Sequence, residues 1–498
     1  MISFKNGEFQ MEENILEQRF REDAESLISF IDNSPSCYHV INNIKKELRG
    51  YKELKENEDW ELEPGKGYYV IRNSSSIIAF RIPETMKSVE NGGFLIAAAH
   101  SDSPSFKVKQ DGEISVDKHY RKLNVEKYGG MIMASWLDRP LSIAGRIFTD
   151  EDGRLSERLV NIDRNLFIIP NVAIHMNRDI NENCKYSMRS DMQPLMGLTK
   201  AEGIICKDSL TGIIAESTGV DADSILSMDL FLYPRVGGTF LGADNELIAS
   251  RALDDLQCAY SMIQGFIRSG HVSNTESVTG ALNNGCGIPV CCVFDNEEVG
   301  SGTRQGADSD FLHDVLYRIT DVLVNNDVSK KTGDNIEEDV CNNNGCEGKA
   351  TGIDVNCVLL KLLANSFMIS ADNAHAVHPN HPEYADESDR PYLNGGVVVK
   401  FNAAQKYTTD AYSYARLKRL ARKAGVPLQT YSNRPDIAGG STLGNISVRH
   451  VSIPCVDIGL PQLAMHSCYE TGGTYDTGYM IRLLEEYYHQ SFLSSSFE

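Results

Sequence analysis

Two short apolar runs constrain the fold of this chain more than any other feature. Residues 93–100 read GFLIAAAH and residues 288–294 read IPVCCVF. Neither alternates with polar residues, so each predicts a strand covered on both faces, the habit of strands in a layered α/β sheet. Each run also ends on chemistry. His100-Ser101-Asp102 closes the first, and Asp295-Asn296-Glu297-Glu298 follows the second. The carboxyl ends of strands are where such sheets place their ligand sites.

The rest of the chain fits this frame. A length of 498 residues exceeds what one core usually serves, so two or more domains are expected. Residues 10–50 read helical, with Ile15, Phe20, Ala24, Leu27, Ile28 and Ile31 at mostly three- and four-residue steps. Residues 68–72 and 76–81 read as paired strands across the polar turn Asn73-Ser74-Ser75. From 104 to 243 the texture changes to short strand-like pieces and frequent turns such as Asp111-Gly112, Gly129-Gly130 and Asp152-Gly153, which predicts a β-rich inserted domain. Helix and strand alternation resumes after it, beginning with the helical pattern Leu256, Ala259, Tyr260, Met262, Ile263 and Phe266. The polar stretch at 325–349 lacks periodicity and reads as an exposed or mobile insertion. No solenoid repeat is visible.

Charge and cysteine content narrow the partners. A formal charge of -21 repels nucleic acid and anionic membranes, so neither is expected as the main partner. The start of the chain does not read as a signal peptide, and no apolar run reaches the roughly 18 residues of a membrane span. A cytoplasmic protein is expected. The 12 cysteines then read as reduced thiols, and Cys341 and Cys346 as loop thiols rather than half of a zinc clip.

The polar ends of the strands carry ligand chemistry. His100 and Asp102 are one residue apart, so Asp102 can orient a ligand imidazole. Glu297 and Glu298 are adjacent carboxylates that repel one another unless a cation compensates; one can bind metal while Glu297 exchanges a proton with the attacking water and the leaving amine. Asp254-Asp255 opens a helix, where acidic residues are also favoured by the dipole, and Asp254 is the favoured bridging ligand. Asp372 follows another apolar stretch, with His375 and His378 as candidate substrate contacts, and His466 supplies a final imidazole. Residues 439–444, GGSTLG, read as a loop allowing close backbone approach to a ligand, without the Lys-Ser/Thr ending of a phosphate loop. Together these residues satisfy a paired divalent-metal hydrolase: a bridging carboxylate, imidazole and carboxylate ligands for each ion, and a free carboxylate base.

Six passages then resemble the aspartyl aminopeptidase family of two-metal exopeptidases. They are residues 100–104 (HSDSP), 136–141 (WLDRPL), 169–176 (IPNVAIHM), 295–301 (DNEEVGS), 370–380 (SADNAHAVHPN) and 465–467 (MHS). The resemblance covers nearly the whole chain. It implies a phosphorylase/hydrolase-like α/β metallopeptidase domain with a mixed central sheet, formed by residues 1–103 and 244–498 and interrupted at 104–243 by a β-rich dimerisation domain. It implies that His100 and Asp372 hold one ion, Glu298 and His466 the other, and Asp254 both, with Glu297 as general base. His175 would reach the active site of a neighbouring subunit. His375 and Lys400 would contact substrate, Lys400 being the candidate charge partner of an acidic side chain, and Tyr407 and Met465 would line the pocket. Relatives form dimers that assemble into tetrahedral dodecamers, whose narrow entrances favour short peptides. In the family the bridging segment is commonly Arg-Leu-Asp-Asn; here it is Ala252-Leu253-Asp254-Asp255, with the arginine moved to position 251.

The expected function is therefore a metal-dependent aminopeptidase removing N-terminal residues, with a preference for acidic ones. Zinc suits the mixed donor set, with cobalt and manganese as alternatives. A broad neutral aminopeptidase, a carboxypeptidase or another two-metal amidohydrolase would use the same ligands. A self-assembling cargo or scaffold protein is the reading from a different class.

Overall fold

The computed structural model describes residues 2–85, 89–199, 209–270, 287–333, 354–437 and 439–489. Both apolar runs are strands, Gly93–His100 and Gly287–Phe294, and they lie side by side and parallel. Phe367–Ala371 and Cys455–Gly459 continue the parallel set, so four strands at the centre of a nine-stranded mixed sheet point the same way. The antiparallel pair Gly67–Arg72 and Ser76–Arg81 extends one side, and Val397–Phe401 and Leu428–Ser432 the other.

Why these runs contain so little polar character is visible in the alternation. Phe94, Ile96 and Ala98 face one core with Val290, Cys292, Phe311, Leu316 and Leu362. Leu95, Ala97 and Ala99 face the other with Cys291, Val293, Phe266, Leu417 and Leu484. Helices cover both sides, so every residue of Gly93–His100 is buried. Each large aliphatic side chain so buried contributes about 1.5–3 kcal/mol.

The helical reading of 10–50 resolves into two helices, Ile2–Asp32 and Cys37–Glu47, separated at Ser34-Pro35. Proline lacks the amide a continuing helix needs. A second, six-stranded antiparallel sheet takes all its strands from between Ser105 and Pro234, and packs its apolar face around Phe106, Trp136, Ile147 and Leu230. It docks on the first sheet through Arg146, whose guanidinium donates to the carbonyl of Asn73 at 2.9 Å and to its side-chain oxygen at 3.1 Å. A third sheet, of five strands, includes Leu247–Ser250, Glu470–Gly473, Pro461–Leu463 and Ala374–His375.

The polar stretch beginning at 325 starts as helix, because Phe311–Gly333 runs through it; residues 334–353, with Cys341 and Cys346, lie outside the described residues. The eight described cysteines are all free. Among the described residues no helix is long and apolar enough to cross a membrane.

Candidate metal centre

The parallel strands deliver their polar ends to one edge. His100 is the last residue of Gly93–His100, Glu297 and Glu298 form the short turn after Gly287–Phe294, and Asp372 directly follows Phe367–Ala371. Two more donors arrive from other elements. Asp254 stands at the start of Leu253–Arg268 where the backbone is not yet helical, with φ -84° and ψ 108°. His466 occupies the turn between Pro461–Leu463 and Glu470–Gly473, in the left-handed region at φ 65°. A non-glycine residue holds that conformation only where its surroundings fix it.

The six side chains converge. Asp254 places Oδ2 3.1 Å from His466 Nε2 and Oδ1 3.7 Å from His100 Nε2. Glu298 Oε1 lies 3.5 Å from His466 Nε2, and Glu297 Oε2 lies 4.0 Å from His100 Nε2. Donor atoms of His100, Asp254, Asp255 and Asp372 all fall within 4.8 Å of one another, as do those of His100, Glu297 and Glu298 and those of Asp254, Glu298 and His466. Asp254 therefore belongs to two adjoining donor groups, which is the arrangement a bridging carboxylate needs.

The electrostatics ask for cations. Buried oxygens of Asp254 (Oδ1), Asp255 (Oδ1) and Glu298 (Oε1) have no hydrogen-bond partner. Such atoms are costly unless a charge compensates them. Burial, reinforced by Asp254, holds the Glu298 carboxyl well above its ordinary range. Burial also pushes Glu297 up to about 8, with Asp372, Asp102 and Asp254 adding to it and His100 opposing. Burial works against a charge on His100, yet Asp102, Asp255 and Glu297 outweigh it and raise that imidazole well above its usual value. Burial weakens the two glutamates and the surrounding carboxylates add to it, while the same carboxylates strengthen His100; Asp254 alone is held below its ordinary range, because His466 and His100 outweigh its burial. Oxygen and imidazole donors so arranged fit divalent cations, zinc among them.

Positioning groups surround the donors. His100 Nδ1 bonds the Asp102 carbonyl at 3.0 Å and lies 3.3 Å from its carboxylate. That carboxylate also accepts the backbone N–H of Glu297 and of Glu298, each at 3.1 Å, so one side chain sets an imidazole and both glutamates. Tyr128, from the six-stranded sheet, donates its hydroxyl to Asp102 at 2.8 Å and accepts from Asn296 at 2.8 Å. The next residue, Gly129, has φ 75° and packs so closely that a Cβ there would come within 3.1 Å of Glu298 Cβ. Asp255 accepts the backbone N–H of His100 at 3.2 Å. Glu470, 1% exposed, accepts the N–H of Asp254 at 3.0 Å and that of His466 at 2.7 Å.

Sequence reasoning missed Tyr128 and Glu470 as parts of the centre. Tyr128 lies 168 positions from Asn296 and Glu470 lies 216 from Asp254, and neither belongs to a local pattern. The arginine at 251 points elsewhere, donating to the carbonyl of Ile31 under the Tyr233 ring.

The remaining expected residues are spread more widely. Lys400 is 2% exposed and lies 3.3 Å from the Asp372 carboxylate, donating to the Asp372 carbonyl at 2.6 Å. Burial works against its charge, but Asp372 prevails and raises it. Tyr407 is buried beneath Lys400, with the ammonium 5.3 Å from the ring centre. His375 borders a cavity of about 300 Å3 together with His378, Tyr431, Arg434, Gly439 and Gly440. His375 is exposed at the cavity rim, yet the protein atoms crowded around it and the Lys400 charge hold its imidazole below its ordinary value. Met465 is half-buried between Ala464, which lines that cavity, and His466. His175 is exposed, in a loop of the segment carrying the six-stranded sheet, with exposed Val172, Ile174 and Met176 around it.

Comparisons with known proteins give the family of the chain. The family described as aminopeptidase I zinc metalloprotease (M18) matches residues 30–488. A probable M18 family aminopeptidase 2 of Clostridium novyi is 41% identical over 470 residues, covering 94% of this chain and 98% of that protein. Aspartyl aminopeptidase 4 of Saccharomyces cerevisiae is 34% identical, covering 93% and 94%. Among solved structures, an Ape4 and Nbr1 complex is similar at a TM-score of 0.82 and 33% identity, covering 95% of this chain and 86% of that one. The S. cerevisiae mApe1 dodecamer shares the fold at a TM-score of 0.73 and 24% identity, covering 94% and 97%. A family match running from the end of the first helix through the last, over a chain whose scattered acids and imidazoles meet at one centre, identifies this protein as a member of the M18 family of zinc metalloprotease aminopeptidases.

Proposed function

We propose that this chain is a metal-dependent aminopeptidase that removes the N-terminal residue from short peptides, with a preference for acidic residues. The carrying observation is Asp254, whose two oxygens address His466 and His100 separately while its Oδ1 lacks any hydrogen-bond donor. In this reading His100 and Asp372 would hold one zinc ion and Glu298 and His466 the second, with Asp254 available to both. When bound, the cations polarise the scissile carbonyl and acidify the attacking water.

The protein's own groups do the rest. Glu297 takes a proton from the water and returns it to the leaving amine. Asp102 keeps His100 and both glutamates in register with one another, and Lys400 holds Asp372 in place. The peptide's first side chain enters the cavity bordered by His375, His378 and Arg434; Met465 follows the lining residue Ala464 and Tyr407 packs on the lining residue Tyr431, so both act one layer behind the wall. Lys400 adds a positive charge close to His375, and that charge together with the likeness to aspartyl aminopeptidases supports the acidic preference, although Asp389 also lines the cavity and Arg434 is paired with Asp436.

Residues 104–243 serve as the dimerisation domain of a cytoplasmic assembly, a tetrahedral dodecamer built from dimers. The exposed apolar residues Val172, Ile174 and Met176 support an interface there, and His175 among them would contact the reacting carbonyl in the neighbouring subunit.

A digest of free and N-acetylated peptides with varied first residues tests the reading. Cleavage of free-amine peptides, lost with a chelator and restored by zinc, is expected. Equal cleavage of acetylated peptides refutes it, and equal rates for neutral and acidic first residues refute the acidic preference.

A further inference from the structure

The geometry points to Glu470 as a positioning residue that locks together the two loops carrying Asp254 and His466. This inference rests on the metal centre proposed above and adds a group that is neither a ligand nor the proton carrier. Asp254 and His466 belong to segments that share no local sequence, yet both must hold one geometry if a cation is to sit between them. One carboxylate joins them: Oε2 accepts the Asp254 N–H at 3.0 Å and Oε1 accepts the His466 N–H at 2.7 Å.

The fold explains how a single side chain reaches both. Glu470 opens the strand Glu470–Gly473, which pairs with Leu247–Ser250 so that Glu470 lies opposite Ser250, four residues before Asp254. His466 lies four residues before Glu470, in a turn held at φ 65°. Each amide donor meets its own acceptor oxygen, and Glu470 is 1% exposed, so water does not substitute.

A carboxylate is the side chain this task requires. Two N–H donors approaching from different loops need two acceptor oxygens on one rigid plane, which glutamine cannot supply because its NH2 would face one of the donors. Groups that orient ligands in this way change metal affinity by about 10–100-fold when removed.

Glu470→Gln and Glu470→Asp in the full chain test the inference, using zinc(II) and cobalt(II) ions alone as probes in competition with a chelator. Wild type is expected to bind tightest and the isosteric glutamine variant weaker by about 10–100-fold; the aspartate variant, whose shorter side chain withdraws both acceptors, should also bind more weakly than wild type. The cobalt absorption spectrum should change in the glutamine variant, and kcat on a free-amine peptide should fall with KM unchanged. Glutamine, or aspartate, binding as well as wild type overturns the positioning role. So does unfolding of the glutamine variant at saturating zinc, since the loss would then lie in the fold. A wild-type protein that binds neither ion refutes the metal centre itself, a result separate from any Glu470 effect.

Discussion

The Asp254 carboxylate lies between two imidazoles, 3.1 Å from His466 through Oδ2 and 3.7 Å from His100 through Oδ1. Each of its neighbours comes from a different strand end or turn, and Asp254 is shared by two of three overlapping donor groups, as His100 and Glu298 also are, while its two oxygens face different imidazoles.

Asp254→Ala should therefore empty both cation positions together. The expected outcome is loss of bound zinc by elemental analysis and a fall in peptidase rate of at least about a hundredfold. Retention of one tightly held ion per chain would show that Asp254 serves a single position.

Glu297→Gln separates binding from proton transfer. Glu297 is close to His100 without being needed to fill the His100, Asp254 and Asp372 group. Zinc content should stay near wild type while kcat drops by about 10²–10⁴-fold. Normal turnover removes Glu297 from the role of base.

His175 calls for a test across subunits. His175→Ala should lower kcat by at least about tenfold with zinc content unchanged, in line with the loss of a polar contact to reacting atoms. Mixing His175→Ala with Glu297→Gln subunits should restore part of the activity if the histidine acts on its neighbour's site. An unaffected rate in the single variant excludes His175 from catalysis.

Acid stability should depend on His39. Burial first, then the charges of Arg251 and Lys46, lower its imidazole from 6.5 to about 4. A folded value below the unfolded one means that the unfolded chain binds the proton first as pH falls. Stability is then lost from about pH 6.5 downward, and the whole effect is reached near 4. Between pH 7 and 5 this amounts to about 1–2 kcal/mol, and His39→Gln should lose that much less stability by urea unfolding. Identical pH profiles for variant and wild type refute it.

How much of this was legible in the chain differs by element. The strand Gly93–His100 announced itself because both faces are buried and nothing polar interrupts it. The antiparallel pair Gly67–Arg72 and Ser76–Arg81 was equally plain, since a polar turn links adjacent runs. The two N-terminal helices merged into one in the sequence pattern, because apolar spacing on both sides of Pro35 is similar. The stretch after 325 read as insertion although helix continues to Gly333, because its polar residues carry no strong periodicity.

By itself, the sequence determined which residues can be donors, His100, Asp254, Glu297, Glu298, Asp372 and His466, and that strand ends would carry most of them. Local patterns are sufficient for that, because burial on two faces and the chemistry of a side chain are properties of short segments. Only the tertiary structure decided that Tyr128 steadies Asp102, that Lys400 is engaged by Asp372, and that Glu470 joins the loops of Asp254 and His466. Apart from the Glu470 to His466 bond, which spans four residues, those relationships join residues far apart in the chain, and their geometry exists only after the three sheets have packed.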